Sequence, residues 1–162
     1  MIKIIIIIYR NINIIKEIKM KKVAVVYWSG TGNTEKMAET FLEAVKDCGS
    51  SAELFFASEF SSDNIDSFDG LAFGCPAMGN EVLEEGEFEP MFEDVEDKLG
   101  EKPVAIFGSY EWNDGQWMYD WEERCKDNGI NLVGEGLAAY DDPDEEALEK
   151  VRDLAKALVE KI

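Results

Sequence analysis

Val23-Ala24-Val25-Val26-Tyr27-Trp28 runs directly into Ser29-Gly30-Thr31-Gly32-Asn33-Thr34, and this passage decides the fold. The first six residues are apolar and β-prone, as a strand buried on both faces requires. The next six are glycine, hydroxyl and amide residues alone. Helical spacing comes at once after them, with Met37, Ala38, Phe41 and Val45 three or four apart. Such a loop at the start of a helix aims backbone N–H groups and hydroxyls at one point, where the helix dipole favours an anion. Neither G-x-x-x-x-G-K-[ST] nor G-x-G-x-x-G is present, and no lysine or arginine lies inside the loop. It therefore suits one terminal phosphate monoester rather than a polyphosphate with magnesium. The plainer alternative is a strand-to-helix turn in which glycine supplies backbone angles and Asn33 or Thr34 is the N-cap.

Outward from this passage, strands and helices alternate. Strands are expected at Val23–Trp28, Ala52–Ala57, Gly70–Gly74 and Pro103–Phe107. A fifth covers Asn131–Val133, with a continuation after a break into Leu137–Tyr140 as the open alternative. Helices are expected at Thr34–Asp47, Phe88–Leu99 and Gln116–Asn128. A last one is announced by Asp142, Pro143 in its first turn and Glu145 three residues after Asp142. Its apolar stripe is Leu148, Val151, Ala155, Leu158 and Ile162. Apolar strands separated by helices make an α/β, doubly wound, five-stranded parallel sheet covered on both faces. Ligands of such sheets sit at the carboxyl ends of the strands, where strand order reverses. The marked loops Ser29–Thr34, Cys75–Glu87 and Gly108–Gly115 all come after strands and should converge there. Trp117, Trp121 and Cys125 recur at helical spacing and read as core.

A chain of 162 residues is most simply one domain with a sizeable core. It has no histidine, so His-based acid–base, triad and metal chemistry are excluded. Cys48, Cys75 and Cys125 lie far apart without a C-x-x-C, which fits buried thiols in a reducing, cytoplasmic compartment. The acidic run Glu81, Glu84, Glu85, Glu87 and Glu89 lacks EF-hand spacing, and no metal site is expected. The formal net charge is −19. Residues 1–22 contain six bases (Lys3, Arg10, Lys16, Lys19, Lys21 and Lys22) and one acid, Glu17, so the rest carries 10 bases and 34 acids, a net of −24. That field disfavours nucleic acid and anionic membrane, and it favours proteins with basic docking faces.

Residues 1–19, MIKIIIIIYRNINIIKEIK, differ abruptly in composition from the rest of the chain. The apolar run Ile4–Ile8 is too short for a signal peptide and has no cleavage site. Arg10, Asn11, Asn13 and Lys16 interrupt it well before the ~20 apolar residues of a membrane span. Lys16-Glu17 can be encoded by AAGGAG, a ribosome-binding sequence with two codons between it and Met20. Residues 1–19 are therefore expected to be an extraneous leader from an early start codon, and residues 20–162 the working domain.

With the three loops in view, Lys21–Ile162 resembles a short-chain flavodoxin. Tyr27 through Glu35 resembles that family's phosphate loop. Gly74-Cys75-Pro76-Ala77-Met78-Gly79, with the acidic stretch to Glu89-Pro90, resembles its first flavin-ring loop. Phe107-Gly108-Ser109-Tyr110, Trp112, Gly115 and Trp117-Met118 resemble its second. The resemblance implies strand order 2-1-3-4-5, non-covalently bound FMN and a low-potential one-electron carrier with no catalytic residues. FMN would be held by Ser29, Gly30, Thr31, Gly32, Asn33 and Thr34 at its phosphate. Pro76, Ala77, Met78, Gly79, Asn80 and Glu81, with Ser109, Tyr110, Glu111, Trp112 and Asn113, would surround its ring. Met78 and Trp112 would cover the two ring faces, Glu81 would meet the pyrimidine edge, and the Gly79 carbonyl would accept from the reduced ring. Asn80 stands where aspartate is expected and Glu111 where glycine is. A glycine needed there for a left-handed angle would make glutamate cost ~1–2 kcal/mol. Implied partners are reductases or oxidoreductases that otherwise use ferredoxin, met by a monomer.

Two other functions are open to this topology. A nicotinamide-dependent flavin or quinone reductase needs an open flavin face, which Met78 and Trp112 would cover, and the acidic rim repels an anionic diphosphate. A signalling receiver domain needs an acidic pair, an aspartate and a lysine where Trp28-Ser29, Cys75 and Ser109 stand.

Overall fold

A computed structural model describes residues 19–162. The expected leader lies outside the described residues except for Lys19. Five strands make one parallel sheet in the order β2-β1-β3-β4-β5. They are β1 (Lys22–Tyr27), β2 (Ser51–Phe56), β3 (Gly70–Gly74), β4 (Val104–Tyr110) and β5 (Leu137–Tyr140). The helices are α1 (Asn33–Asp47), α2 (Phe88–Val95), α3 (Gln116–Asp127) and α4 (Glu145–Val159), with 3-10 turns at Ala57–Glu59 and Ser62–Ser67.

The sheet is buried on both faces because its strands carry apolar side chains on both. Val23, Val25 and Tyr27 face one layer with Met37, Phe41 and Val45 of α1 and Val151, Ala155 and Leu158 of α4. Ala24 and Val26 face the other with Phe88 and Phe92 of α2 and Trp117 and Trp121 of α3. Trp117, Trp121 and Cys125 are buried, as their spacing predicts. β1 and β3 are neighbours at the centre, so the chain reverses direction across the sheet between them.

Several boundaries differ from the sequence reading. β4 does not stop at Phe107; it continues through Gly108, Ser109 and Tyr110, which pair with Ala138, Ala139 and Tyr140 of β5. Gly108 belongs in this strand because a Cβ there would sit 2.0 Å from the Cys75 carbonyl oxygen. The fifth strand is the Leu137–Tyr140 alternative. Asn131–Val133 contributes only a bridge, Leu132 to Val104. α2 ends at Val95 rather than Leu99. The cap of α4 is Asp144, whose carboxylate accepts from the Ala147 amide, and not Asp142. Asp142 instead accepts from Lys36 Nζ at 2.8 Å.

Candidate functional site

The three marked loops converge, as their positions after strands predict. They enclose a cleft of about 210 Å³ at the carboxyl end of the sheet. The loop after β1 gives it Trp28, Gly30 and Thr31. The loop after β3 gives Pro76, Ala77 and Met78, and the end of β4 gives Ser109, Tyr110, Glu111 and Trp112. Trp28, within the stretch that resembles the phosphate loop but not among the expected FMN contacts, lines the cleft; its place at the end of a strand aimed there is the signal the sequence holds.

At the β1 end the N-cap of α1 is Gly32, in the left-handed region at φ 95°, and no side chain of the described residues caps the helix. The alternative in which Asn33 or Thr34 caps the turn is therefore replaced by an open helix start. Ser29 Oγ accepts from the Gly32 amide at 3.1 Å, which rounds the loop and leaves the hydroxyl proton free to be donated. Asn33 opens α1. Thr34 is buried, and its hydroxyl lies 2.9 Å from Ser109 Oγ and accepts from the Ser109 amide at 3.4 Å. Lys36, one turn into α1, is drawn aside by Asp142 and the Pro143 carbonyl, both at 2.8 Å. This end is thus a neutral nest of amides and hydroxyls, suited to a phosphate by dipole and hydrogen bond.

At the β3 end the chain turns back on itself. Met78 and Val82 exchange two backbone bonds at 2.8 and 3.0 Å, with Gly79, Asn80 and Glu81 between them. Gly79 and Glu81 take positive φ, 50° and 61°. Glycine adopts such an angle freely, whereas a glutamate there must be held. Glu81 is held: its Oε2 accepts from the Trp117 amide at 2.7 Å, at the start of α3. Its Oε1 is buried without a partner among the described residues. A buried carboxylate oxygen of this kind is costly unless a donor arrives, and the imide N–H of a flavin is such a donor.

The acidic stretch beyond Val82 is partly structural. Glu84 accepts from the Gly86, Glu87 and Phe88 amides at 2.7, 2.8 and 2.9 Å, closing the start of α2. Partial burial opposes its charge, but the Phe88, Glu87 and Gly86 amides together outweigh it and hold its carboxyl below the ordinary range. Cys75 Sγ accepts from the Glu84 amide at 3.3 Å, and burial pushes its thiol far up, so it stays protonated and inert.

On the β4 side Trp112 is 42% exposed, so its indole stands in the open mouth of the cleft and not in the core. Tyr110 packs against Trp117 and Tyr140, with ring centroids 5.4 Å apart in each pair. Positive φ falls on Asn113, at 59°, and not on Glu111. The strain that glutamate would have suffered in place of a left-handed glycine therefore does not arise. Among the described residues no group of acidic and cysteine side chains is placed to hold a metal ion. No helix among them is long and apolar enough to cross a membrane.

A doubly wound sheet with a neutral phosphate nest, an aromatic- and Met-lined slot and an orphan acceptor defines a class of flavin mononucleotide carriers. A family model described as flavodoxin matches residues 25–154, and the chain belongs to the flavodoxin family. It is 47% identical to the flavodoxin of Clostridium beijerinckii over 121 residues, 75% of this chain and 88% of the relative. It is 44% identical to that of Megasphaera elsdenii over 115 residues, 71% and 84% of the two chains. The solution structure of two-electron reduced Megasphaera elsdenii flavodoxin matches it with a TM-score of 0.76 at 39% identity, covering 85% of this chain and 98% of that one. The chain is accordingly an FMN-binding electron carrier that works with redox proteins and is not an enzyme. Nothing in these likenesses favours the reductase.

Proposed function

We propose that this chain is a low-potential, one-electron carrier whose FMN lies in the cleft between the three loops. The observation that carries the placement is the open start of α1, which lies just beyond Gly30 and Thr31 of the cleft and carries no side-chain cap. Ser29, Thr31, Asn33 and the first amides of α1 would bind the phosphate, as a helix start binds an anion. Thr34, its hydroxyl occupied by Ser109, serves instead by fixing α1 against β4. Met78 and Trp112 would wall the two ring faces and exclude water from them. Glu81 Oε1 would accept from the imide while its Oε2 keeps the start of α3 in place. Bound FMN supplies reversible one-electron chemistry that no side chain here has.

Glu111 and Trp112 are exposed where they line the cleft, and exposed Glu85 and Asp114 add negative charge to the loops after β3 and β4. Such a rim suits redox proteins with basic docking faces, met one at a time by a monomer in the cytoplasm. Reductases or oxidoreductases that otherwise use ferredoxin fit this description. The test is reconstitution of the purified apoprotein, then absorption during stepwise reduction. One FMN per chain and two separable one-electron steps are expected. A single two-electron step, or uptake of riboflavin as tight as that of FMN, would refute this reading.

A further inference from the structure

Three of the side-chain hydrogen bonds that lace the three loops together differ in burial. Thr34 to Ser109 is buried, and Glu81 to the Trp117 amide is partly so. The third, Trp28 Nε1 to Glu87 Oε2 at 2.9 Å, is exposed and joins the loop after β1 to the loop after β3 across 59 residues. Trp28 is not a surface ornament. It is half-buried, packs against the core layer of α2 and α3, and lines the cleft. Its ring lies over Gly30 so closely that a Cβ there would come within 3.0 Å of Cη2. Glu87 is itself positioned, because its amide donates to the Glu84 carboxylate at 2.8 Å just before α2 begins. A chain of bonds thus runs from the Cys75 thiol through Glu84 and Glu87 to the Trp28 indole and ends over the phosphate loop.

We propose that Trp28 is a third wall of the FMN cleft at its phosphate end, and that the Trp28–Glu87 bond is a clasp that retains the cofactor. Glu87 is the positioning residue and acts through the indole. The inference rests on the placement of FMN proposed above. Because two of the ties are shielded and the third faces water, the third opens at least cost, and FMN enters and leaves by separating the phosphate loop from the acidic loop. The clasp holds through a directed bond, so an acceptor oxygen matters and the charge on it does not.

The test compares Trp28→Phe, which keeps a ring without the N–H, with Glu87→Ala, which removes the acceptor, and Glu87→Gln, which keeps one without the charge. Association rates and dissociation constants of FMN with each apoprotein, from flavin fluorescence, give the release rates. Loss of one exposed bond to a carboxylate should speed release about five-fold in Trp28→Phe and in Glu87→Ala. The double variant should release no faster than the faster single one, since both changes cut the same bond. Glu87→Gln should restore release to within about two-fold of the parent. In the apoprotein, the Trp28 indole proton, assigned by its loss in Trp28→Phe, should exchange with water faster in Glu87→Ala than in Glu87→Gln. Equal release from Glu87→Gln and Glu87→Ala, or effects that multiply in the double variant, would overturn the clasp. A parent apoprotein that takes up no FMN would instead overturn the placement beneath it.

Discussion

The two ends of the cleft are built on different principles. The phosphate end is local: Ser29 to Thr34 closes on itself through the Ser29–Gly32 bond, and its binding groups are the amides of the adjoining helix. The ring end is assembled from afar, by Glu81 reaching Trp117 across 36 residues and by Ser109 reaching Thr34 across 75. The groups offered to a ligand at the first end are amides and hydroxyls, whereas carboxylates, Glu81 and Glu111, stand at the second. A local nest keeps its geometry with few long-range ties, whereas the strained angle of Glu81, φ 61°, is held by a distant partner, the Trp117 amide.

The sharpest way to break the comparison is to cut the buried bond between the two ends. Thr34→Ala should leave Ser109 without its buried partner and cost about 1–3 kcal/mol of apoprotein stability, read by urea unfolding. An unchanged midpoint would mean that the two ends do not depend on each other. Glu84→Ala should cost about 1 kcal/mol, because three amides at the start of α2 lose their acceptor. Its pH dependence has a definite sign. The Glu84 carboxyl is lowered in the fold, so its contribution is full above the ordinary carboxyl range and is lost as pH falls through the lowered value. The stability gap between parent and variant should therefore close toward acid, and a gap that widens would show that the carboxylate is not the cap.

The same structural role removes Glu84 from any electrostatic test of the rim. Glu85 and Glu111 are exposed and serve that purpose instead. A carboxylate ~10 Å from a reduced, negatively charged ring, at an effective dielectric near 60, lowers the second one-electron potential by about 20 mV. Glu85→Gln with Glu111→Gln should make that step less negative by about 40 mV and flatten its salt dependence. No change in potential would leave these acids as a solubility feature. The smallest effect is expected from a chain begun at Met20, which should match the full chain in FMN affinity because the site starts at Trp28. Loss of binding would show that residues 1–19 are no extraneous leader.

Legibility in the sequence divides along the same line as the cleft. Periodicity and composition give the layers, and the phosphate loop lies in one unbroken passage. The end of β4 was hidden because Gly108-Ser109-Tyr110 looks like a loop until β5 pairs with it. Pro143 points to Asp142 as the cap of α4, but Lys36, far away in sequence, takes Asp142, and Asp144 caps the helix instead. Glu84 as a cap, Glu81 as a brace and Trp28 as a wall all rest on contacts between elements, to which single-sequence periodicity is blind.

Titration of the apoprotein with FMN and with riboflavin, in the parent and in Thr31→Ala, tests the neutral phosphate nest most directly. Thr31 lines the cleft. A lost hydrogen bond to a charged group is worth about 1.5–3 kcal/mol, so Thr31→Ala should weaken FMN roughly ten- to a hundredfold and leave riboflavin within about two-fold. Equal losses for FMN and riboflavin would place the phosphate elsewhere and contradict the account.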